Sequence, residues 1–208
     1  MAKRKLVLSL VICLWSQSIL LAENKCVIVD SQLQFPEALG DTSIVPPEII
    51  KNLCLVDVTY YSFDGRLHLG QIVLHKDIVI DVIELFQLVK ANRFPVAKVI
   101  PVAQYHGSDE SSMADNNTSG FNYRTIKGSK RLSAHAFGRA IDINPFNNPF
   151  VTKNEIRPKR AFYDPGKPGT LTADSPIVIA LKKRGWIWGG DWRTSKDYQH
   201  FEKKGSRH

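Results

Sequence analysis

Four residues in the second half of the chain have the side chains and the spacing of a metal site. His135 and Asp142 lie seven residues apart, and Asp197 and His200 lie three apart near the C-terminus. Zinc in hydrolases typically takes three protein ligands from His, Asp or Glu and leaves a fourth position to water. His135, Asp142 and His200 make such a set. Asp197 then supplies a nearby unbound carboxylate that could accept a proton from that water.

The segment around Asp142 is typical of a short strand. Residues 140–143 alternate with a period of two, which places Asp142 on one face and its Ile neighbours on the other. Positions seven apart on a strand point to opposite faces, so His135 should lie on the approach to the strand, where Gly138 allows the chain to bend back. Taken alone, His135 and Asp142 are also compatible with a capped turn and a polar strand residue that bind no metal.

The two stretches together resemble a family of metallopeptidases typified by D-alanyl-D-alanine carboxypeptidases and phage L-alanyl-D-glutamate endopeptidases. Residues 133–142 match its signature Ser-x-His-x-x-Gly-x-Ala-x-Asp, and residues 197–200 match the downstream Asp/Glu-x-x-His. The resemblance extends over residues 101–202, about half of the chain. The resemblance implies that His135, Asp142 and His200 bind zinc and that Asp197 is the general base.

The resemblance also implies an arginine near the reacting carbonyl. Arg124 ends the segment 119–124, which corresponds to a Ser-Gly-Tyr-Arg-like segment of the family but is two residues longer. Its implied task is to stabilise the oxyanion that zinc also polarises. The alternative for Arg124 is an ordinary surface salt bridge.

Three further residues are candidates for substrate binding. Ser133 opens the first motif, and Trp188 and Trp192 lie around a Gly-Gly pair shortly before the second. Aromatic residues beside a metal site can wall a peptide pocket, although the two Trp residues could equally be core packing.

The fold class expected is α+β, with a central antiparallel sheet that carries the zinc site and helices that flank it. Residues 55–61 and 67–74 are rich in Val, Tyr, Leu and Ile around Phe63-Asp64-Gly65, which predicts a β-hairpin. Residues 96–102 predict another strand. Residues 23–45 have no clear periodicity and indicate an extended arm.

Two helices are marked by their boundary residues. Asp77 is expected to cap an amphipathic helix that Pro95 stops, and Pro176 is expected to begin a second helix that ends before Gly185. A proline-rich loop over residues 146–172 is placed near the cleft by the resemblance.

The N-terminus has the pattern of a secretory signal peptide in residues 1–22. Three basic residues precede an apolar run that is short for a membrane span, and Ala22 precedes a polar segment. The alternative is an uncleaved N-terminal anchor. We expect an exported protein, periplasmic or secreted, with no stable membrane insertion after cleavage. Its expected parts are an extension over residues 23–54, a single peptidase domain over 55–203 and a basic tail over 204–208.

Charge and cysteine content fit an exported protein. The formal net charge of +8 falls by the three cations of the leader, and the mildly basic remainder favours an anionic partner such as a cell-wall polymer. Nucleic acid is not expected as a partner, and we expect a monomer. Cys26 and Cys54 remain after signal removal and are expected to form a disulfide, with two buried free thiols as the alternative.

The activity implied by the resemblance is hydrolysis of the stem peptides of peptidoglycan, which contain D-amino acids. The sequence does not decide between a D-Ala-D-Ala carboxypeptidase and an L-Ala-D-Glu endopeptidase, although residues 197–202 slightly favour the endopeptidase type. The alternative function is a non-catalytic, zinc-containing domain that binds the cell wall. The presence of Asp197 favours the enzyme.

Overall fold

The structure is a computed structural model that describes residues 27–205. The predicted signal peptide, Cys26 and the last three residues lie outside the described part, so the cleavage and the Cys26–Cys54 disulfide stay predictions. Among the described residues, no helix combines the length and the apolar character needed to cross a membrane.

Helices and strands are interspersed along the described chain. The helices are α1 (Phe35–Leu39), α2 (Pro47–Ile50), α3 (Val79–Ala91), α4 (Asp109–Ala114) and α5 (Pro176–Lys183). The strands are β1 (Ile28–Val29), β2 (Leu53–Tyr61), β3 (Leu67–His75), β4 (Lys98–Val99), β5 (Asn117–Thr118), β6 (Ala140–Asp142), β7 (Phe150–Val151), β8 (Ile156–Arg157), β9 (Ile187–Trp188), β10 (Lys196–Asp197) and β11 (His200–Glu202). Turns of 3-10 helix lie at Lys76–Ile78, Val102–Tyr105, Ala134–Phe137 and Gly189–Asp191.

The predicted hairpin is confirmed and is the longest strand pair of the described chain. β2 and β3 pair antiparallel from Leu53 opposite His75 to Tyr61 opposite Leu67. Gly65 in the connecting turn has a φ of 74°, a left-handed conformation that glycine adopts without steric penalty. Residues 23–45 were expected to be an extended arm, but the described part contains β1, which pairs parallel to β3, and α1. Pairing with a distant strand, which local periodicity does not reveal, makes β1 a strand.

The predicted amphipathic helix corresponds to α3. Its first turn is the 3-10 helix at Lys76–Ile78, and the cap is His75 rather than Asp77, because His75 Nδ1 accepts a hydrogen bond of 3.1 Å from Asp77 N. The helix ends at Ala91, before Pro95, as predicted. Its apolar side packs against β2 and α5 and closes the main core. The buried residues that α3 contributes to this core are Val82, Leu85, Phe86 and Val89.

The mixture of helices and strands is confirmed, but a single central antiparallel sheet is not. The described strands form four small sheets, in the orders β1-β3-β2, β10-β7-β8, β6-β11-β9 and β4-β5. The strand expected over residues 96–102 is only β4, because Pro101 begins a 3-10 turn. Residues 146–172, expected to be a loop, contain the β7–β8 pair. The sheets β6-β11-β9 and β10-β7-β8 carry the residues of the candidate site.

Candidate metal centre

His135 lies in the 3-10 turn that leads into β6. Ser133 begins this turn, and its Oγ accepts a hydrogen bond of 3.3 Å from His135 N. Gly138 ends the turn with a φ of 65°. A Cβ atom at Gly138 would lie 2.6 Å from His75 N, so the close approach of this turn to the end of β3 requires glycine. The bend predicted between His135 and the strand is therefore present.

Asp142 and His200 face each other across one pair of antiparallel strands. They are opposite partners in the register of β6 and β11. Directly opposed residues point to the same face of a sheet, so the pairing brings the two side chains together although they are 58 positions apart in sequence. His135 reaches the same point from the turn before β6.

The three side chains converge on one buried point. His135 Nε2 lies 3.2 Å from His200 Nδ1 and 3.2 Å from Asp142 Oδ1, and His200 Nδ1 lies 3.0 Å from Asp142 Oδ1. The exposed fractions of the three residues are 2%, 4% and 7% for His135, Asp142 and His200. These three residues could hold a metal ion.

The outer hydrogen bonds determine which histidine nitrogens face this point. His135 Nδ1 lies 2.6 Å from Gly120 O, a carbonyl that can only accept, so Nδ1 carries the proton and Nε2 presents a lone pair. His200 Nε2 lies 3.5 Å from Glu202 Oε2, which favours the lone pair on Nδ1. With His200 in this tautomer, two lone pairs and a carboxylate oxygen face one another within 3.2 Å, an arrangement that suits a cation between them.

The spacing of these atoms fits zinc. Bonds of about 2.0–2.1 Å in tetrahedral geometry separate two ligand atoms by about 3.3 Å. The three separations of 3.0 to 3.2 Å are close to that value. Two imidazoles and one carboxylate are also a ligand set that leaves a fourth position open, as catalytic zinc requires.

The electrostatics of the group favour positive charge at its centre. Burial by itself would raise the pKa of Asp142, but the charges and hydrogen bonds of His135 and His200 outweigh it and lower this pKa. Burial would lower the pKa of His200, but the hydrogen bonds to Asp142 and Glu202 raise it to about 10. The chain thus holds an ionised carboxylate beside two imidazoles in its interior.

Asp197 lies beside this group without belonging to it. It ends β10 and lines the same cavity of about 220 Å³ as the three metal-site residues. Its Oδ1 accepts a hydrogen bond of 3.1 Å from Gln199 Nε2. Part of the residue is exposed, but the surrounding protein desolvates its carboxyl group, and this raises the pKa of Asp197 to about 6. A carboxyl group that titrates near neutral pH can both accept and return a proton.

Gly189 determines where Asp197 lies. A Cβ atom at Gly189 would lie 2.5 Å from the Asp197 carbonyl oxygen and 2.8 Å from its Cβ, so the 3-10 turn packs on β10 only with glycine here. We expect Gly189→Ala to displace Asp197 and to lower turnover about ten- to a hundredfold with zinc retained, because small displacements of a catalytic group have effects of this size. Peptide cleavage and zinc content, measured together, check this expectation.

Gly166→Ala is the matched control for this substitution. A Cβ atom at Gly166 meets only Asp164 Oδ1 at 3.4 Å, an ordinary van der Waals contact. Unchanged turnover in Gly189→Ala would show that the packing of Gly189 does not position the base.

Arg124 and Ser133 line the same cavity as Asp197. Arg124 Nη2 lies 3.1 Å from Asp109 Oδ2, so the salt bridge considered as its alternative is present, and both partners face the cavity. The Ser133 hydroxyl is hydrogen-bonded to His135 N, which makes Ser133 a support of the His135 turn. The roles of Arg124 at the carbonyl and of Ser133 in substrate binding stay predictions.

The two Trp residues lie in different environments. Trp188 is 3% exposed, stacks on Phe201 and donates a hydrogen bond of 2.9 Å from Nε1 to Tyr198 O. This placement in the core agrees with the packing alternative and does not support substrate contact for Trp188. Trp192 lines the cavity, with its ring centroid 5.6 Å from that of His200.

Several residues of the site could not be selected from the sequence. Gln199, Gly120 and Glu202 hold Asp197, His135 and His200 through the hydrogen bonds given above. Gln199 and Glu202 flank His200 in the second motif, which was the one available signal for them. Phe150 and Arg157 line the cavity from the segment that was expected to be a loop.

Comparison with known proteins agrees with this geometry. The family model described as D-alanyl-D-alanine carboxypeptidase matches residues 127–203, a range that contains the three metal-site residues and Asp197 but not Arg124. No solved structure matches the chain significantly. The family is one of zinc-dependent metallopeptidases, and the buried His135, Asp142 and His200 provide the donors that zinc needs. Over residues 127–203, the chain is thus similar to the zinc metallopeptidases of the D-alanyl-D-alanine carboxypeptidase family, and the matched range carries three residues that could hold the metal.

Proposed function

We propose that the protein hydrolyses stem peptides of peptidoglycan at bonds next to D-amino acids, with the D-alanyl-D-alanine terminus as the first candidate. The observation that supports this most is the buried His135–Asp142–His200 group with the carboxylate of Asp197 in the same cavity. The family description supports a D-Ala-D-Ala type of substrate.

The catalytic roles follow from the placement of the side chains. Zinc, when bound by His135, Asp142 and His200, supplies Lewis acidity and the activation of water. Asp197 takes a proton from the attacking water at a carboxylate oxygen and later gives it to the leaving amine. The hydrogen bond from Gln199 occupies Oδ1 of Asp197, so Oδ2 is the oxygen with free capacity for this proton.

Two further cavity residues complete the proposed mechanism. Arg124 donates hydrogen bonds to the peptide oxygen on which negative charge develops. Asp109, which pairs with its Nη2, holds the guanidinium at the cavity wall. Trp192, beside the His200 ring, forms an apolar wall that limits access of water and orients the substrate.

A second candidate function is cleavage of the L-Ala-D-Glu bond inside the stem peptide. The cavity at the metal centre shares lining residues with a second cavity of about 380 Å³, so the cleft continues beyond the site and has room for a longer peptide. The alternative of a non-catalytic wall-binding domain is disfavoured by Asp197, since a domain that only binds needs no carboxylate beside the metal.

The cellular setting is part of the proposal. Residues 1–22 act as a signal peptide, and the mature protein works as a monomer outside the cytoplasm, where its substrate is. The single domain of residues 55–203 carries the activity, with residues 23–54 as an extension. In the described part of this extension, β1 pairs with β3 and α1 contacts β2, so the extension packs on the domain.

Mass analysis of digestion products tests the proposed function. The zinc-loaded protein should release D-alanine from a stem pentapeptide or split the L-Ala-D-Glu bond, and a chelator should abolish the release. Absence of any cleaved bond in either peptide or in purified wall fragments would overturn the proposed hydrolysis and favour the binding domain.

A further inference from the structure

A row of three side chains crosses the sheet β10-β7-β8 beside the metal centre. Asp197 pairs with Phe150, and Phe150 pairs with Arg157 in the next strand. Opposed residues in adjacent strands point to the same face, so the three side chains share one face of the sheet. All three line the cavity that contains the metal-site residues. The row therefore places an arginine two strands away from the proposed base.

The guanidinium of Arg157 stacks on the ring of Phe150. Its Cζ atom lies over the Phe150 ring, 4.4 Å from the ring centroid. A cation stacked on an aromatic face is held in one orientation and keeps its N–H groups free at the edge of the plane. Phe150 lies between Arg157 and Asp197 in the register, so the guanidinium stacks on the residue that separates it from Asp197 and lines the same cavity.

Arg157 has hydrogen-bonding capacity that the described residues do not use. Its Nε is buried and makes no hydrogen bond with residues 27–205, as is also the case for Arg124 Nε. The nearest anionic partner is Glu155, whose Oε1 lies 3.5 Å from this Nε. The same Oε1 accepts a hydrogen bond of 2.6 Å from Lys127 Nζ, so Glu155 is already engaged by Lys127.

Arg157 has the most distant anionic partner among the cations that line both cavities. Five residues line both the metal cavity and the adjoining cavity, and among them are three cations, Arg124, Lys127 and Arg157. Arg124 is paired with Asp109 and Lys127 with Glu155, both at normal ion-pair distances. Arg157 is the cation of this set whose pairing is loosest, and it lies where the two cavities join.

We propose that Arg157 binds the free α-carboxylate of the residue whose amine leaves in the reaction. This inference rests on the proposed function. A guanidinium binds a carboxylate through two parallel hydrogen bonds, so a carboxylate on the leaving residue fits the unused edge of Arg157. In this way, Arg157 sets the specificity for an acidic group next to the scissile bond.

Both candidate substrates carry this carboxylate. The terminal residue of a D-Ala-D-Ala peptide ends in a free α-carboxylate. A D-Glu residue that continues the chain through its γ-carboxyl also keeps its α-carboxylate free, next to the amine that leaves. Because the carboxylate is common to both substrates, one arginine can bind the leaving residue of either. The test below distinguishes the two substrates by which peptide the protein cleaves with a preference for the free acid.

The test compares the wild type and an Arg157 variant on peptides with and without the α-carboxylate. Each candidate peptide is prepared with the α-carboxylate of the leaving residue free and with the same group as a carboxamide. The wild-type zinc form should prefer the free acid by about ten- to a hundredfold in kcat/KM, the size expected for a hydrogen-bonded charge pair. In Arg157→Gln, kcat/KM for the acid should fall to about the value for the amide. The value of kcat/KM for the amide itself should change little.

Further variants show whether a loss of preference is specific to the Arg157 side chain. Arg131→Gln is the matched substitution at an exposed arginine that lines neither cavity and should keep the preference of the wild type. Zinc content and thermal melting verify the fold of Arg157→Gln, and Arg157→Lys replaces it if it does not fold. Arg157→Lys should retain part of the preference, because it keeps the charge without the paired geometry.

The inference and the proposed function fail in different ways. Cleavage by Arg157→Gln with an undiminished preference for the acid would overturn the role of Arg157 and leave the peptidase function standing. If the wild type cleaves neither peptide, the peptidase function fails. The role of Arg157 in carboxylate binding is then tested by equilibrium binding of the acid and amide peptides. Equal binding of both peptides by the wild type would overturn the proposed carboxylate site. A preference for the acid that is lost in Arg157→Gln would support it.

Discussion

Asp197→Asn is expected to lower peptide turnover by about a hundred- to ten-thousandfold while the chain keeps its zinc and its fold. Asp197 lies in the cavity beside the metal-site residues but outside the group that could hold the ion. Asparagine keeps the oxygen that accepts from Gln199 Nε2, so the neighbouring contacts survive. What the substitution removes is the carboxylate oxygen that receives the proton.

The measurement for Asp197→Asn pairs single-peptide cleavage with zinc content. Asp174→Asn is the matched control, because Asp174 is an exposed carboxylate outside the cavity. Cleavage at the wild-type rate by zinc-loaded Asp197→Asn would show that another group takes the proton. Loss of zinc in the same variant would instead make Asp197 a ligand.

Asp142→Ala is expected to have the opposite signature, with zinc and turnover lost together. Asp142 is the single anionic member of the group, and its Oδ1 lies within 3.2 Å of both imidazole nitrogens. Its removal leaves two neutral imidazoles facing one another. The loss of zinc affinity should exceed the roughly 10–100-fold that follows when only an outer partner of a ligand is removed.

Elemental analysis after dialysis measures the metal in Asp142→Ala, and Asp174→Ala is its control. One zinc per chain in Asp142→Ala would remove Asp142 from the ligand set. The two carboxylates of the site are thus separated by one pair of assays, since only one of them should change the zinc content.

The parts of the structure that the sequence predicted are those with local signals. The hairpin of β2 and β3 follows from its β-branched strands around Gly65, and α5 from Pro176 at its start and Gly185 past its end. The proposed metal-site residues were found because two short motifs carried them. The bend at Gly138 could be predicted because His135 and the strand residue Asp142 are separated by an odd number of positions.

The parts that the sequence did not predict depend on contacts between distant segments. β1 is a strand only because β3 accepts it, and three of the four sheets are held by pairings of only two or three residues. Arg157 joins the cavity through the register of β8 with β7, in a segment whose composition indicated a loop. Trp188 and Trp192 have the same residue type, and only the packing of the fold separates the core residue from the cavity residue.

A zinc titration of the metal-free wild-type protein, followed by cleavage of the stem pentapeptide and of the L-Ala-D-Glu peptide, tests the central claim most directly. With His135, Asp142 and His200 as the single catalytic site, the cleavage rate should be near zero without metal, rise in proportion to added zinc and level off at one equivalent per chain. Full activity of the metal-free protein, or no cleavage of either peptide at any zinc content, would contradict the account.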